Sequence, residues 1–487
     1  MAGIKSLAKD TAIYGLSSIV GRFLNWCLTP LYTNTFSQGQ YGVVVIMYAV
    51  VALALIILTY GMETGFFRFA NHERWKDPMQ VYSTAMASLA VTGAAFIAVV
   101  CSLAYPLAGA MHCGEHPSFV VVMALCVAID AFTALPFSYL RYRGRAVRFA
   151  VVRLTNIALN IGFNLFFILG CPWLMAHAPA TVDWFYNPAY GVGYIFVANL
   201  IASAATLLML MPQYTGFRWS FNSELWRKML AYSAPLLVLG VAGIMNQTLD
   251  KIIFPFLYHR SDVMDQLGIY GANYKIAIVM VMFTQAFRFA YEPFIFSKNK
   301  ETGPEGSNRA YALIMKYFII ASLGIFLLVM YYLPVLRYFI SSDYFSGLKV
   351  VPIVMAAELF FGIFFNLSVW YKLSDKTMWG MWFSLLGLAV TVALNVALVP
   401  RVGYMGCAWA AFCCYGVMMV ASYFVGQKHR PINYGLPSLA AYGAVFAILY
   451  AVGVYVIDTP HLWLTLALRT LLLIAYAAFA YFREMRR

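Results

Sequence analysis

Arg22 falls at the middle of Thr11 to Thr33, TAIYGLSSIVGRFLNWCLTPLYT, a run long enough to cross a bilayer. At helical spacing Ser18, Arg22, Asn25 and Thr29 share one face, while Ile19, Phe23, Leu24 and Leu28 cover much of the rest. An arginine at the centre of a spanning helix costs at least about 2.5–3.5 kcal/mol on insertion scales, and more when it faces lipid alone. It therefore has to meet protein, water or an anion.

Other ionisable groups lie inside apolar runs. The basic ones are Arg153, Lys251, Lys275 and Arg288; the acidic ones are Glu63, Asp130, Asp250, Glu292 and Glu358. Arg22, Asp130 and Glu358 sit deepest. Structural readings compete with functional ones throughout. Asp130 and Glu358 could each neutralise Arg22, and Asp250 could pair with Lys275. Arg288 and Glu292, one turn apart, could form an i,i+4 pair at the membrane rim. Arg153 and Glu63 are near enough to one side to snorkel. The functional reading places Arg22, Asn25, Arg153, Lys275 and Arg288 around an anionic group. Asp130, Asp250, Lys251 and Glu358 then act as coupling groups or charge pairs.

Arg153, Asn156, Asn160 and Asn164 follow steps of three, four and four, one polar stripe along a helix. Asparagines commonly hydrogen-bond between helices in membranes. Three in a line exceed what one interface usually needs, which favours a water-lined wall where Asn156, Asn160 and Asn164 would meet sugar. Asn246, Gln247 and Asp250 form a similar group further on. Cations, amides and aromatic rings together suit a phosphate joined to sugars, since arginine binds phosphate in a two-pronged fork and amides meet hydroxyls. The 34 tyrosines and 11 tryptophans fit sugar stacking, but interfacial belts use the same residues, so their number decides nothing.

The elements that position these groups are spanning helices. Of 487 residues, 63% are hydrophobic and 11% charged, against about 25% charged in soluble domains, so the chain is an integral membrane protein. Fourteen spans are expected: 11–33, 41–65, 81–105, 117–139, 149–171, 190–211, 229–256, 267–296, 310–334, 347–371, 377–399, 403–426, 434–456 and 462–482. One set of alternate loops carries 22 basic residues and the other only Arg260, Arg337, Lys349 and Arg401, which puts both termini in the cytoplasm. The net charge of +14 is thereby explained by membrane orientation rather than by nucleic acid. The polar start, MAGIKSLAKD, implies no cleaved signal peptide.

The chain reads as duplicated. Pro30-Leu31-Tyr32 and Tyr41-Gly42 recur as Pro255-Phe256-Leu257-Tyr258 and Tyr270-Gly271. Asn164 before Gly191-Val192-Gly193 is echoed by Asn395 before Gly403-Tyr404-Met405-Gly406. Six spans per repeat is an even number, so both copies share one orientation. The expected organisation is a bundle over 1–212, a cytoplasmic linker over 213–228, a second bundle over 229–430, and spans thirteen and fourteen over 431–487. The linker's FRWSFNSELWRK has the aromatic and basic content of an interfacial segment.

Eight cysteines lie mostly in apolar runs with no CxxC, and the seven histidines fall in or beside loops. No metal site, catalytic pair or cofactor is expected, and no GxxxxGK[ST] phosphate loop occurs.

The chain resembles the polysaccharide flippases of the multidrug/oligosaccharidyl-lipid/polysaccharide exporter superfamily, such as O-antigen and capsule-unit translocases. The resemblance rests on LAKDTAIYGLSSIVGRFLNWCLTPLYT followed by Tyr41-Gly42 and on LAYSAPLLVLGVAGIMNQTLDKIIFPFLY with Pro235 and Asp250-Lys251. LGIYGANYK at 267–275 and ALNVALVPRVGYMGCAWA at 393–410 complete it. Such proteins usually carry Asp-Arg where this chain has Asp250-Lys251. The resemblance implies an all-α protein of two six-helix bundles in a V around a cationic cavity, plus two extra helices. It implies export of an undecaprenyl-pyrophosphate-linked oligosaccharide from the inner to the outer leaflet of the bacterial cytoplasmic membrane. Expected partners are that lipid-linked oligosaccharide, membrane lipid, a coupling H+ or Na+, and other polysaccharide assembly proteins. Drug exporters of the superfamily tend to carry an acid inside the first helix, where this chain has Arg22. Two rivals remain: a cation-coupled drug or metabolite antiporter using Asp130, Asp250 and Glu358, and a membrane glycan polymerase or ligase. The second usually needs a large outer loop, and the longest here, 172–189, holds only His177 and Asp183 as candidate groups.

Overall fold

A computed structural model describes residues 15, 20, 21, 23–71, 77–214, 219–374, 376 and 378–485, with side chains described except at 289, 290, 292–294 and 296–306. Arg22 and Ser18 lie outside the described residues, as does the Glu292 side chain. Every regular element among the described residues is helical.

Helix α1, Thr29–Thr35, starts with Pro30 in its first turn, where a missing N–H costs nothing. Helix α2, Gln38–Thr59, opens on a capping box in which the Ser37 hydroxyl and the Gln40 side chain each accept the other's backbone N–H. Tyr60 and Gly61, both left-handed at φ 31° and 72°, end it and redirect the chain into α3, Met62–Ala70. Asp77 accepts the Met79 N–H and Pro78 fills the first turn of α4, Pro78–Ser102. The short α5, Ala104–Ala110, leads to α6, Ser118–Tyr142. Helix α7, Ala146–Leu165, passes through a π turn at Phe166–Gly170 into α8, Cys171–His177. Then come α9, Gly193–Met209, and α10, Ser223–Leu257, the latter capped by Asn222.

Helix α11, Val263–Tyr331, is continuous over 69 residues, although a loop was expected between spans eight and nine. It is not straight. The Tyr311 hydroxyl donates to the Ile295 carbonyl at 3.1 Å, whereas sixteen residues of straight helix would separate them by about 24 Å. The helical backbone persists through the polar segment while the chain folds back, so the expected reversal exists without a coil. Beyond lie α12, Leu333–Leu336; α13, Val350–Leu367; α14, Val369–Leu373; α15, Met378–Val402; α16, Tyr404–His429; α17, Leu436–Ala451; and α18, Leu462–Met485.

Twelve helical stretches among the described residues are long and apolar enough to cross a membrane, and α9 is a shorter apolar helix. Of span one, residues 15, 20, 21 and 23–33 are described. The protein is a multi-pass membrane protein, and the helix boundaries follow the sequence pattern to within a few residues. Breaks fall inside expected spans at Cys27–Leu28, between α2 and α3, at Leu103 and at Ser368, and α11 runs unbroken.

The described residues divide into two compact units, one ending at Gly271 and one beginning at Ala272. In the first, α4 packs on α6, α9 on α6 and α7, and α10 on α2. Phe66, Tyr82 and Tyr139 form its aromatic core with Leu225 and Met229 from the start of α10. In the second, α16 packs between α13 and α15 around Trp370, Phe383 and Tyr415. Helices α17 and α18 belong to this unit. Lys316 and Glu484 form an ion pair, the Tyr442 hydroxyl donates to Glu484 at 2.7 Å, and the Tyr476 hydroxyl donates to Ile320 O at 2.9 Å. Buried Arg469 donates to the carbonyls of Gly453 and Ile457, where α17 ends in a π turn, and to that of Tyr331, where α11 ends.

Candidate functional site

Arg153 is exposed on α7, and its guanidinium lies 4.4 Å from the Phe137 ring centre and 6.0 Å from that of Phe149. Ring faces attract the cation without using its N–H groups, which stay available to a planar or tetrahedral anion. Asp130, across on α6, accepts the Ser203 hydroxyl at 2.7 Å and reaches Arg153 only through its field. Glu63 forms an ion pair with Arg141 at 3.0 Å and accepts Ser138 at 2.9 Å.

The asparagine stripe makes the interhelical bonds that the sequence left as its alternative. Asn156 donates to Thr206 at 2.9 Å and Asn160 donates to Asn199 at 3.1 Å, both partners on α9. Asn164 is fully buried; it donates to Asn160 O at 2.7 Å and accepts the Tyr32 hydroxyl at 2.8 Å. A water-lined wall therefore does not extend to Asn164, whose amide ties α7 to α1. The physical reason is economy of polar groups: in a dry bundle the nearest hydroxyl or amide satisfies an amide better than water does. Asn156 and Asn160 keep partial exposure, and Asn25 is exposed.

On α10, Asp250 is buried and accepts the Tyr270 hydroxyl at 2.7 Å and the Lys251 ammonium at 3.1 Å. Lys251 also donates to the Gln247 carbonyl and lies 5.2 Å from the Tyr270 ring centre. Adjacent residues on a helix do not normally face each other; Tyr270, from the start of α11, draws both charges to one side.

In the second unit Arg288 is exposed and stacks 4.5 Å over Phe365, and Lys372 approaches the same ring at 4.5 Å. Glu358 is buried and accepts the Tyr274 hydroxyl at 2.8 Å; Lys275, next along α11, is half-buried. Sequence reasoning assigned Lys372 and Arg141 only to loop charge and overlooked Lys316, Arg469 and Glu484. The signal was present for the last three, since each is ionisable and sits inside or at the edge of an apolar span.

Residues 7–299 match the family described as polysaccharide biosynthesis protein. The chain belongs to that family. No curated protein matches its sequence. Among solved structures it is similar to "Lipid II flippase MurJ, inward closed conformation", at TM-score 0.73 and 13% identity, covering 99% of this chain and 100% of that one. It is also similar to an inward-facing multidrug resistance MATE family transporter of the MOP superfamily, at TM-score 0.62 and 12% identity, over 84% of this chain and 94% of that one. An outward-facing MATE structure gives TM-score 0.59 and 14% identity, over 87% and 95%. At such identities the likeness establishes the fold, which this polysaccharide biosynthesis family member shares with the MOP superfamily.

Proposed function

We propose that this protein is a flippase that moves an undecaprenyl-pyrophosphate-linked oligosaccharide from the inner to the outer leaflet by alternating access, for surface polysaccharide synthesis. The observation that carries the reading is Arg153: an arginine of the membrane-spanning bundle whose guanidinium lies against the Phe137 ring and makes no ion pair among the described residues. Arg288 in the second unit also lies over a ring, that of Phe365. With Arg22 and Lys275 these cations attract the pyrophosphate while the polyprenyl tail stays in lipid. Membership of a polysaccharide biosynthesis family and a fold shared with a lipid II flippase support a lipid-linked glycan over a drug. An inside-negative potential favours outward transfer of an anion by about 2.3 kcal/mol per charge per 100 mV. Asp130 and Glu358, each accepting a hydroxyl, are the groups at which a coupling H+ or Na+ would act.

The test is leaflet-resolved labelling of lipid-linked glycan in cells carrying Arg22→Ala, Arg22→Lys or Arg153→Ala. The alanine variants should leave single lipid-linked units on the cytoplasmic side, as a deletion strain should. Normal translocation by all three removes the cationic-site reading. Unpolymerised units displayed outside in the deletion strain would instead identify a polymerase.

A further inference from the structure

The break between α2 and α3 opens a cavity of about 340 Å³, within the range of roughly 300–1,000 Å³ that holds small molecules. Its walls carry Thr59, Glu63, Phe67 and Arg141, and α10 adds Leu236 and Leu237. The break is built and held. Tyr60 sits at φ 31°, a left-handed conformation that costs a residue with a Cβ, and its hydroxyl shares a 2.6 Å hydrogen bond with Ser88. Ser88 also accepts the Trp226 indole N–H at 2.8 Å. Irregular backbone inside an apolar span is tolerated where it is packed by protein or lines a cavity, and broken helices commonly mark binding places in transporters.

The charges at this cavity are half open. The Glu63 and Arg141 side chains retain 38% and 37% of their exposure, although they are paired at 3.0 Å. That pair uses one oxygen of Glu63 and one nitrogen of Arg141, which also donates to Ser138. The second carboxylate oxygen and the remaining guanidinium N–H groups have no hydrogen-bond partner among the described residues. Arg141 lies 5.3 Å from the Phe67 ring centre, so the ring, the acceptor and the donors border one space. A phosphate entering it would meet the Glu63 carboxylate, and a cation would meet Arg141. A neutral ring with adjacent hydroxyls meets neither objection. One hydroxyl donates to the carboxylate, its neighbour accepts from the guanidinium, and the C–H face lies on Phe67 and the leucines.

We propose that the Glu63–Arg141–Phe67 cavity is a subsite for an uncharged sugar ring, distinct in its chemistry from the cations that meet the pyrophosphate. The assignment rests on the flippase reading only for why a sugar arrives there.

Saturation-transfer NMR on the full-length protein in detergent micelles tests it, with D-glucose, D-galactose, D-mannose and N-acetyl-D-glucosamine as probes. At least one sugar should receive saturation, bind about tenfold more weakly to Glu63→Gln and to Phe67→Leu, and resist displacement by inorganic pyrophosphate. Absence of binding by all four sugars overturns the proposal. So does binding that ignores both substitutions, or displacement by pyrophosphate. Phe67→Leu carries the test alone if Glu63→Gln does not fold, as judged by its thermal transition. Leaflet-resolved labelling with the unmodified protein separates the two claims. Sugar binding without translocation sinks the flippase and spares the subsite; translocation with no sugar binding does the reverse.

Discussion

A Cβ atom on Gly42 would lie 2.1 Å from the carbonyl oxygen of Met264. Reciprocally, one on Gly268 would lie 2.0 Å from the Gln38 carbonyl. The start of α2 and the start of α11 therefore cross backbone on backbone, an approach that only glycine permits. Gly42→Ala or Gly268→Ala forces this crossing apart and should cost about 1–3 kcal/mol. Gly243→Ala, with nothing within 4 Å of the new methyl, is the control and should be neutral or slightly stabilising. Thermal unfolding in detergent reads the difference, and a Gly42→Ala melt that matches the parent would show that the crossing is looser than described.

Asp250 and Lys251 should behave as a buried pair. Their side chains retain 8% and 12% exposure, and Tyr270 supplies a second donor to the carboxylate. Lys251→Met leaves a buried carboxylate with one fewer donor and should cost about 3–5 kcal/mol. The double variant Asp250→Asn with Lys251→Met removes both charges and should recover most of that loss. Denaturant titration checks the order. A double variant less stable than either single one would refute pairwise compensation.

Asn164 offers a way to separate wall from glue. Its amide joins α7 to α1 through Tyr32, and such bonds average about 0.6 kcal/mol and reach about 1.7 in membrane bundles. Tyr32→Phe should lose that amount and Asn164→Ala more, since it also gives up the bonds to Asn160; combining them should add little to Asn164→Ala, which already removes the Tyr32 bond. Translocation should change only in proportion to stability. Abolished translocation with unaltered stability would restore the sugar-lining role.

The fold was legible because apolar runs and basic loops leave few arrangements open. Two departures stand out. Tyr60 gives no sequence sign of its left-handed backbone, so α2 and α3 read as one helix; the cause is tertiary, the bond to Ser88. Helix α11 holds helical backbone through Gly303, Pro304 and Gly306, residues that composition alone reads as a stop. For the site, sequence found which ionisable residues enter the membrane but not what each touches. Arg153 and Asn160 lie on the same α7 stripe, yet one stacks on rings and the other bonds to Asn199. That difference depends on α6 and α9, which the α7 stripe cannot encode.

Cys113 lies between α5 and α6, outside the spans, and burial pushes its thiol up to about 11. Only the thiolate reacts with maleimides, and at pH 8 roughly one thiol in a thousand would be ionised. Cys113 should stay unlabelled at pH 8 in the folded protein and label rapidly once denaturant exposes it. Mass spectrometry of the 111–117 segment decides, and full labelling under native conditions would place this loop in solvent.

Lys316 and Glu484 fix the last helix to the second arm of α11, with Tyr442 of α17 donating to the same carboxylate. The pair's side chains retain 13% and 14% exposure, so removing one partner strands a mostly buried charge. Glu484→Gln should cost about 3–5 kcal/mol. Exchanging the charges, Lys316→Glu with Glu484→Lys, should restore part of it, but not all. The reversed site offers the Tyr442 hydroxyl an ammonium in place of its acceptor, so that hydroxyl has to turn or go unpaired. Hydrogen exchange over 436–485 is the measurement: protection should fall in Glu484→Gln and return in the reversed pair. A reversed pair no better protected than the single variant would mean that Arg469 and the tyrosines, rather than the ion pair, hold α17 and α18 in place.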